Sequence, residues 1–238
     1  MGCLNGCLVE SAEDPGPCTP SLGIEDFAIE KVIGKGAFGR VYLVTRKDTG
    51  EVYAMKCLRK DLIEEKHQQA YAMSERRILG KVACPYIVQL KCAFQTLDKL
   101  YMVMEFVNGG ELFVHLRKAS HFSEPRARLY AAELLLALEH LHSQGIIYRD
   151  LKPENVLLDL EGHVKLTDFG LSKVLGRKQA FSFCGTPEYI APEILLGKGY
   201  DYSVDFWSFG CLVYEMLSGV PPFYSRNPEL TEKNNTTQ

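Results

Sequence analysis

The chain has 238 residues, of which 46% are hydrophobic and 24% charged, a composition typical of a folded globular protein. Its formal net charge of −3 gives no general attraction to nucleic acid or to an acidic membrane, so any anion would need a local binding site. Eight cysteines without a CxxC pair favour reduced thiols, and no apolar run is long enough for a membrane span. We therefore expect a cytoplasmic protein that does not bind nucleic acid.

Residues 1–23 contain three prolines and show no apolar period, which predicts a flexible leader. Gly2 follows the initiator as N-myristoylation requires, although Gly6 stands where the motif has Ser or Thr. One myristoyl chain holds a membrane only marginally, so palmitoyl groups on Cys3 or Cys7 would have to add to it. The two interpretations are a membrane-associated, acylated leader and a plain disordered one.

The first of five strand-like apolar runs begins at Phe27, and the other four follow along the chain. The second and third runs are joined by the turn KDTG, which is typical of an antiparallel hairpin. A charged stretch from about Glu64 to Lys81 favours a helix between the third and fourth runs. The pattern predicts a five-stranded antiparallel sheet with one main helix, and the runs are FAIEKVI, RVYLVTR, EVYAMKCL, YIVQLKCAF and KLYMVMEF.

A helical pattern replaces the strand pattern after the stretch NGGEL. The next long helix is predicted to begin with Ser123 in the N-cap position, to carry Pro125 in its first turn and to end at Gly145. Its residues are apolar on nearly all sides, which predicts a buried helix. The fold class is therefore α+β, with a sheet-rich first part and a mainly helical second part.

The segment GKGAFGRV, residues 34–41, joins the first two strands. Its glycines allow the backbone to approach an anion closely enough for N–H groups to point at it. The segment alone also fits a plain hairpin. A dinucleotide site would require a helix directly after the glycines, whereas RVYLV is strand-like.

Lys56 stands within the apolar third strand, where an unpaired ammonium group would be costly. Glu75 on the following helix could supply one carboxylate, and nucleotide phosphates could supply further negative charge. The alternative is a lysine whose ammonium group reaches solvent and a glutamate on the helix surface.

The stretch YRDLKPEN, residues 148–155, concentrates polar groups beside the apolar run VLLDL, and alone it fits a charged surface turn. A hairpin of VLLDL with HVKLT would bring this stretch beside the DFG tripeptide. Asn155 and Asp168 would then offer oxygen ligands suited to Mg²⁺. Asp150 could accept a hydroxyl proton, and Lys152 could neutralise charge on a transferred phosphoryl group. The octamer is therefore predicted to be a reaction loop.

Seven motifs in this order resemble a eukaryotic protein kinase from about Phe27 to Phe223: GKGAFGRV, VYAMK, Glu75, YRDLKPEN, DFG, GTPEYIAPE and SVDFWSFGCLVYEM. The forms YRD, MEFVNGGELF and FCGTPEYIAPE are similar to the AGC group of serine/threonine kinases, nearest to its ribosomal-protein kinase branch. The resemblance implies a two-lobed kinase fold. Residues 24–107 would form the N-lobe and hinge, and residues 108–223 would form part of the C-lobe.

The resemblance implies phosphorylation of protein serine or threonine residues, with ATP and Mg²⁺ as cofactors. Asp150 and Lys152 would be catalytic, while Asn155 and Asp168 would hold the metal. The glycine segment would cover ATP, the paired lysine and glutamate would hold its phosphates, and the segment MEFV would receive adenine. The implied cofactor-binding residues are Ile33, Gly34, Lys35, Gly36, Ala37, Phe38, Gly39, Arg40, Val41, Ala54, Lys56, Glu75, Met104, Glu105, Val107 and Leu157.

Glu111 and Glu154 match positions that receive substrate arginines in basophilic relatives, which implies protein substrates with Ser or Thr near basic residues. For Glu111 the alternative is a helix N-terminal cap. Ser182 matches the position of an activating phosphate, which implies an upstream activating kinase. Arg149 and Lys173 could pair with that phosphate and order the loop.

Residues 224–238 are polar and are predicted to form no helix. A kinase C-lobe ending here would be incomplete and would leave one side of the helix SVDFWSFGCLVYEML uncovered. It would also leave Glu193 as a buried carboxylate without the arginine that pairs with it in complete kinases. We expect a shortened form with weak activity unless a partner or chaperone covers the gap. The alternative is a catalytically impaired nucleotide-binding or scaffolding module.

Overall fold

The first lobe is built on an antiparallel sheet of five strands. They are β1 (Phe27–Gly36), β2 (Gly39–Arg46), β3 (Val52–Arg59), β4 (Leu90–Gln95) and β5 (Lys99–Glu105). The computed structural model describes residues 22–65, 69–176 and 178–237, and in it the strands lie in the order β1-β2-β3-β5-β4. The predicted five-stranded antiparallel sheet is confirmed. Gly2, Cys3 and Cys7 lie outside the described residues.

Aromatic side chains form the core on one face of this sheet. The ring of Phe94 stacks on both Phe27 and Tyr101, with centroid separations of 6.0 and 4.9 Å. Met55 of β3 is buried in the same cluster. Because neighbouring residues of a strand point to opposite faces, β3 presents Lys56 on the other face, where the second lobe lies.

The helical region that follows β3 starts earlier than predicted. Helix α1 spans Lys60–Glu65 and helix α2 spans Gln69–Leu79, so the described residues form two helices where one was predicted, and the first begins before the predicted start near Glu64. Ile63 accounts for the early start, because it is buried against apolar side chains of β3 and β5. The burial of this apolar side chain stabilises a helical turn that begins before the charged stretch.

The second lobe is mainly helical. Its helices are α3 (Leu112–Ala119), α4 (Glu124–Ser143), α5 (Pro192–Leu195), α6 (Ser203–Ser218) and α7 (Pro228–Thr237). Its short strands are β6 (Ile146–Ile147), β7 (Val156–Leu158), β8 (Val164–Leu166) and β9 (Lys173–Val174). Strand β6 pairs with β9, and β7 pairs with β8, both antiparallel. Within the described ranges, no helix is both long and apolar enough to cross a membrane.

Helix α4 is buried on one side only. Leu134 and Leu138 lie in the core with no exposed surface, whereas Leu129, Leu135 and Leu136 are 47%, 43% and 48% exposed. The prediction of a helix buried on nearly all sides is therefore wrong. The physical reason is that its described packing partners, chiefly α6, β6 and β8, cover one face.

Helix α6 has a buried side and an open side. Leu212 and Met216 are buried, while Phe206 and Tyr214 are 47% and 50% exposed. Glu193 at the start of α5 is only half-buried, and its carboxylate accepts a hydrogen bond of 3.4 Å from the hydroxyl of Ser203 on α6. The expectation that Glu193 would be buried without a partner is therefore wrong.

The polar residues after Phe223 form helix α7, so the prediction of a helix-free segment at 224–238 is also wrong. Thr231 and Asn235 are each 1% exposed. The Thr231 hydroxyl accepts a 3.0 Å hydrogen bond from the backbone N–H of Ser225. The sequence prediction required apolar side chains for burial, but polar side chains can be buried when hydrogen bonds satisfy them.

Candidate active site

The segment predicted as a reaction loop follows β6 and ends in a short 3-10 turn, Pro153–Asn155. Three side chains contact the nearly buried carboxylate of Asp150. The ammonium group of Lys152 lies 3.0 Å away, the amide of Asn155 2.9 Å and the hydroxyl of Thr186 2.7 Å. Lys152 also donates to Thr186 across 2.9 Å. The loop therefore gathers the predicted polar groups and adds Thr186, which the sequence analysis missed.

A buried aspartate on α6 fixes the backbone of this loop. The carboxylate of Asp205 accepts hydrogen bonds from the backbone N–H groups of Tyr148, at 2.9 Å, and Arg149, at 2.7 Å. His142 Nε2 lies 2.8 Å from the same carboxylate. Arg149 has a φ of 73°, a left-handed conformation that is costly outside glycine, and Asp205 helps to hold it there. The sequence analysis missed Asp205, although a lone aspartate in an apolar helix is the signal of a buried carboxylate with partners.

The predicted partner of Lys56 is present. The Lys56 ammonium group lies 2.6 Å from a carboxylate oxygen of Glu75 on α2 and 3.2 Å from one of Asp168. Burial disfavours the charged form of Lys56, but the two carboxylates outweigh this effect and raise its pKa above the usual value. Burial raises the pKa of Glu75, whereas the nearby Lys56 charge lowers the pKa of Asp168. The trio links the first lobe to the DFG segment.

The β7–β8 hairpin brings the two predicted metal-binding residues together, as the sequence pattern indicated. Val156 pairs with Leu166, so Asn155 and Asp168 leave the hairpin at the same end. The backbone N–H of Thr167 donates to the Asn155 carbonyl across 2.9 Å. The Asp168 side chain is 52% exposed, which leaves carboxylate surface for a further ligand.

The glycine segment is mostly strand. Residues 34–36 belong to β1 and residues 39–41 to β2, and Gly36 pairs with Gly39, so the turn itself is confined to Ala37 and Phe38. A Cβ atom on Gly39 would lie 1.8 Å from the Cys57 carbonyl oxygen, so only glycine fits there. A Cβ atom on Gly36 would meet nothing within 4 Å, and its backbone therefore borders open space.

A cavity of about 260 Å³ lies between the glycine turn and the reaction loop. Among the predicted site residues, it is lined by Gly36, Ala37, Phe38, Gly39, Arg40, Val41, Lys56, Glu75, Asp150 and Asp168. The remaining predicted cofactor-binding residues lie outside its lining: Ile33, Gly34, Lys35, Ala54, Met104, Glu105, Val107 and Leu157. The cavity thus gathers most of the residues assigned to phosphates, whereas of the residues expected to contact adenine it includes only Val41.

The residues assigned to adenine lie along β5 and its surroundings. Ala54 and Met104 face each other in the β3–β5 register. The Glu105 carboxylate accepts hydrogen bonds from the backbone N–H of Gln89, at 2.9 Å, and from the ammonium group of Lys165, at 3.0 Å. Its side chain is therefore engaged within the protein.

Glu111 and Glu154, the predicted substrate-binding residues, are both exposed. Glu111 is the N-cap of α3, but its side chain makes no capping hydrogen bond, so the capping interpretation does not account for its carboxylate. A third glutamate that the sequence analysis missed, Glu215 of α6, accepts a hydrogen bond from the Tyr189 hydroxyl. Burial raises the pKa of Glu215, and the negative charges of Glu154 and Glu188 raise it further.

Ser182 is half-buried and contacts the residue before the reaction-loop aspartate. The guanidinium group of Arg149 donates to its hydroxyl across 2.6 Å, and the Tyr200 hydroxyl donates to its carbonyl across 2.7 Å. Lys173, the other predicted phosphate partner, lies exposed on β9. The structure thus brings Arg149 to Ser182.

Comparison with known proteins identifies the family. The protein kinase domain family matches residues 27–238. The chain is 57% identical to protein kinase 2 of Dictyostelium discoideum over 204 residues, which cover 85% of this chain and 43% of the relative. It is 55% identical over 209 residues to a RAC family serine/threonine-protein kinase homolog of the same organism, covering 87% and 47%.

A human relative gives the same result. The chain is 53% identical to the human serine/threonine-protein kinase Sgk2 over 216 residues, which cover 89% of this chain and 59% of the relative. The chain spans about half the length of the curated relatives it matches. With the two-lobed fold, the Lys56–Glu75 pair and the reaction loop already in place, these matches lead to one conclusion: the chain belongs to the protein kinase family, among serine/threonine kinases of the AGC type.

Proposed function

We propose that this protein transfers the γ-phosphoryl group of ATP to serine or threonine residues of protein substrates. The observation that carries the proposal is the convergence of Lys56, Asp150 and Asp168 on one cavity, with Lys152 and Asn155 in contact with Asp150. A base, cationic groups and oxygen ligands are the parts that phosphoryl transfer requires.

Each polar group of the cavity has a definite task in this proposal. Asp150 accepts the proton of the substrate hydroxyl, and Thr186 orients its carboxylate through the 2.7 Å hydrogen bond. Lys56, held by Glu75, binds the phosphates of ATP. Lys152 stabilises negative charge on the transferred group. The glycine turn lets backbone N–H groups approach the phosphates.

Asn155 and Asp168 fit a magnesium ion. Both offer oxygen donors at one end of the β7–β8 hairpin, and Mg²⁺ is usually bound by few protein groups. No cluster of three or more His, Cys, Asp or Glu side chains suited to a metal occurs among the described residues. The other ligands would therefore be phosphate and water. When bound, Mg²⁺ would neutralise charge on the phosphates.

Basic residues upstream of the target Ser or Thr would favour a substrate. Glu111 and Glu154 are exposed, and Glu154 lies close enough to Glu215 to raise its pKa. Neighbouring carboxylates create a local negative potential, which a substrate arginine would relieve. The net charge of the whole chain is only −3, so the attraction for basic residues would come from these carboxylates and not from the overall charge.

Regulation would act through Ser182. Phosphorylation there by an upstream kinase would place a dianionic group against the Arg149 guanidinium group, 2.6 Å from the present hydroxyl. Within the AGC group, the forms YRD and FCGTPEYIAPE support a place nearest to the ribosomal-protein kinase branch. A chaperone is a further candidate partner, because α4 and α6 expose apolar side chains.

We also propose that this protein is cytoplasmic and that acylation of Gly2 and Cys3 holds it at membranes. Cell fractionation of the natural chain beside the Gly2→Ala variant tests it. Loss of the membrane fraction in the variant supports acylation, and equal cytosolic recovery of both chains argues against it.

Peptide phosphorylation by the full chain tests the main proposal. Labelled ATP, Mg²⁺ and a serine peptide with upstream arginines should give labelled peptide, and the same peptide with alanine for serine should stay unlabelled. Chelation of the metal should abolish transfer. Binding of Mg-ATP without any transfer would favour the alternative of a nucleotide-binding or scaffolding module.

A further inference from the structure

Helix α7 contacts the segment that leads away from the catalytic centre. The side-chain amide of Asn235 donates to the carbonyl oxygens of Pro187, at 2.8 Å, and Ile190, at 3.3 Å. Asn235 is 1% exposed. A single buried side chain on the last described helix thus ties down two backbone carbonyls of the segment 186–190, hereafter the 186–190 turn.

The other end of this turn contacts the reaction loop. The Thr186 hydroxyl donates to Asp150 across 2.7 Å and accepts from Lys152 across 2.9 Å. Within the turn, the N–H of Tyr189 donates to the Thr186 carbonyl at 2.9 Å. The Ser208 hydroxyl of α6 donates to the Tyr189 carbonyl at 2.7 Å. A displacement of the turn would therefore move groups that contact the catalytic carboxylate.

Burial of the Asn235 amide leaves one polar atom unpaired, and the two hydrogen bonds that its nitrogen donates offset that energetic cost. The Asn235 side-chain oxygen is buried without a hydrogen-bond partner among the described residues. The orientation of the amide is fixed, because only its nitrogen can donate to the two carbonyls of Pro187 and Ile190. An apolar side chain would avoid the unpaired oxygen but would leave both carbonyls without this donor.

We propose that Asn235 is a positioning residue for the peptide substrate. It fixes the 186–190 turn against α7, and the turn in turn fixes Thr186 and Tyr189 beside the reaction loop. Tyr189 also donates a hydrogen bond to the buried Glu215 carboxylate, which the charge of Glu154 influences, so the same turn helps to order the carboxylates that would attract basic substrate residues. This inference rests on the proposed function. It assigns to α7 a role in peptide binding and none in nucleotide binding.

The matched pair Asn235→Asp and Asn234→Asp in the full chain tests this role. Both changes put a carboxylate on α7, but the Asn234 amide makes one contact of 3.5 Å with the Phe223 carbonyl. Asn235→Asp should raise the KM for a basic serine peptide about tenfold, since it removes two donors to buried carbonyls. The KM for ATP should not change, and Asn234→Asp should behave as the natural chain does. Asn235→Ala, which adds no charge, should raise the peptide KM as well and serves if the aspartate variant unfolds.

Amide hydrogen exchange gives a readout that does not need turnover. In Asn235→Asp and Asn235→Ala the amides of the 186–190 turn should exchange faster, while those of β3 and α2 keep the rates of the natural chain. Equal exchange in the turn, or an unchanged peptide KM in an active enzyme, would overturn the proposal. Faster exchange in the two Asn235 variants, together with a natural chain that transfers no phosphate, would uphold the positioning of the turn and refute the proposed function instead.

Discussion

The Arg149 guanidinium group lies 2.6 Å from the Ser182 hydroxyl and so joins the reaction loop to the segment that carries the candidate phosphorylation site. The same side chain donates to the carbonyl of Leu171, three residues after Asp168, across 2.7 Å. Arg149, which directly precedes the proposed base Asp150, therefore connects the reaction loop with the DFG segment and Ser182. A phosphate on Ser182 would strengthen this connection by charge-assisted hydrogen bonds.

Replacement of Ser182 by alanine should abolish activation by an upstream kinase. We expect stoichiometric phosphorylation of the natural chain to raise kcat/KM about tenfold, because a dianion orders the loop through Arg149. Rates before and after treatment with an activating kinase measure this effect. Ser143→Ala, an exposed serine at the end of α4, is the control and should still be activated. Equal activation of Ser182→Ala would assign the effect to another residue.

The Lys56–Glu75 pair should show strong coupling in stability. Lys56→Met leaves the buried Glu75 carboxylate without its nearest cation and should lower the free energy of unfolding by about 3 kcal/mol. Adding Glu75→Gln to Lys56→Met should recover much of that loss, because the uncompensated charge is gone. Urea unfolding of the two single variants and the double variant measures the coupling. Additive effects would mean that the pair contributes no interaction energy.

Neutral replacements of Glu154 should weaken the preference for basic peptides. Glu154→Gln should raise the KM of a peptide with upstream arginines about fivefold, the scale of one exposed ion pair, and should leave a peptide without arginines unaffected. Glu111→Gln should act in the same direction. The exposed Glu139→Gln on α4 is the matched control. A loss of the same size with both peptides would show that Glu154 acts on the fold and not on the substrate charge.

Thermal stability should depend on pH through His163. Its Nδ1 lies 2.6 Å from the buried Glu133 carboxylate, and this hydrogen bond raises the pKa of His163 above its usual 6.5. When a histidine has a higher pKa in the folded protein than in the unfolded chain, it contributes its full stabilisation at pH values below the unfolded-state pKa. This contribution is lost as the pH rises through the folded-state pKa. The difference in Tm between the natural chain and His163→Gln should therefore shrink as the pH rises from slightly acidic to alkaline. A constant difference would contradict the ion pair.

The strands and the clustering of polar groups around Asp150 could be predicted because their signals are local. The turn KDTG and the alternating apolar runs define the sheet, and the two hairpin runs around residues 156–166 bring Asn155 to Asp168. The buried polar contacts could not be predicted from the sequence, because each joins residues that are far apart along the chain. Asp205 meets Tyr148 across 57 residues, and Asn235 meets Pro187 across 48. The polar composition after residue 223 predicted no further helix, whereas helix α7 forms there and these hydrogen bonds bury part of it.

The Asp150→Asn variant gives the most direct test of the reaction loop. The amide keeps the shape of the carboxylate but cannot accept the substrate proton, so phosphate transfer by the full chain should fall by a factor on the order of 10² to 10⁴. Mg-ATP binding, measured as the ligand-dependent rise in Tm, should persist, because Lys56, Glu75 and Asp168 are unchanged. Loss of transfer with retained nucleotide binding is the predicted result. Transfer at the rate of the natural chain would contradict the assignment of Asp150 as the catalytic base.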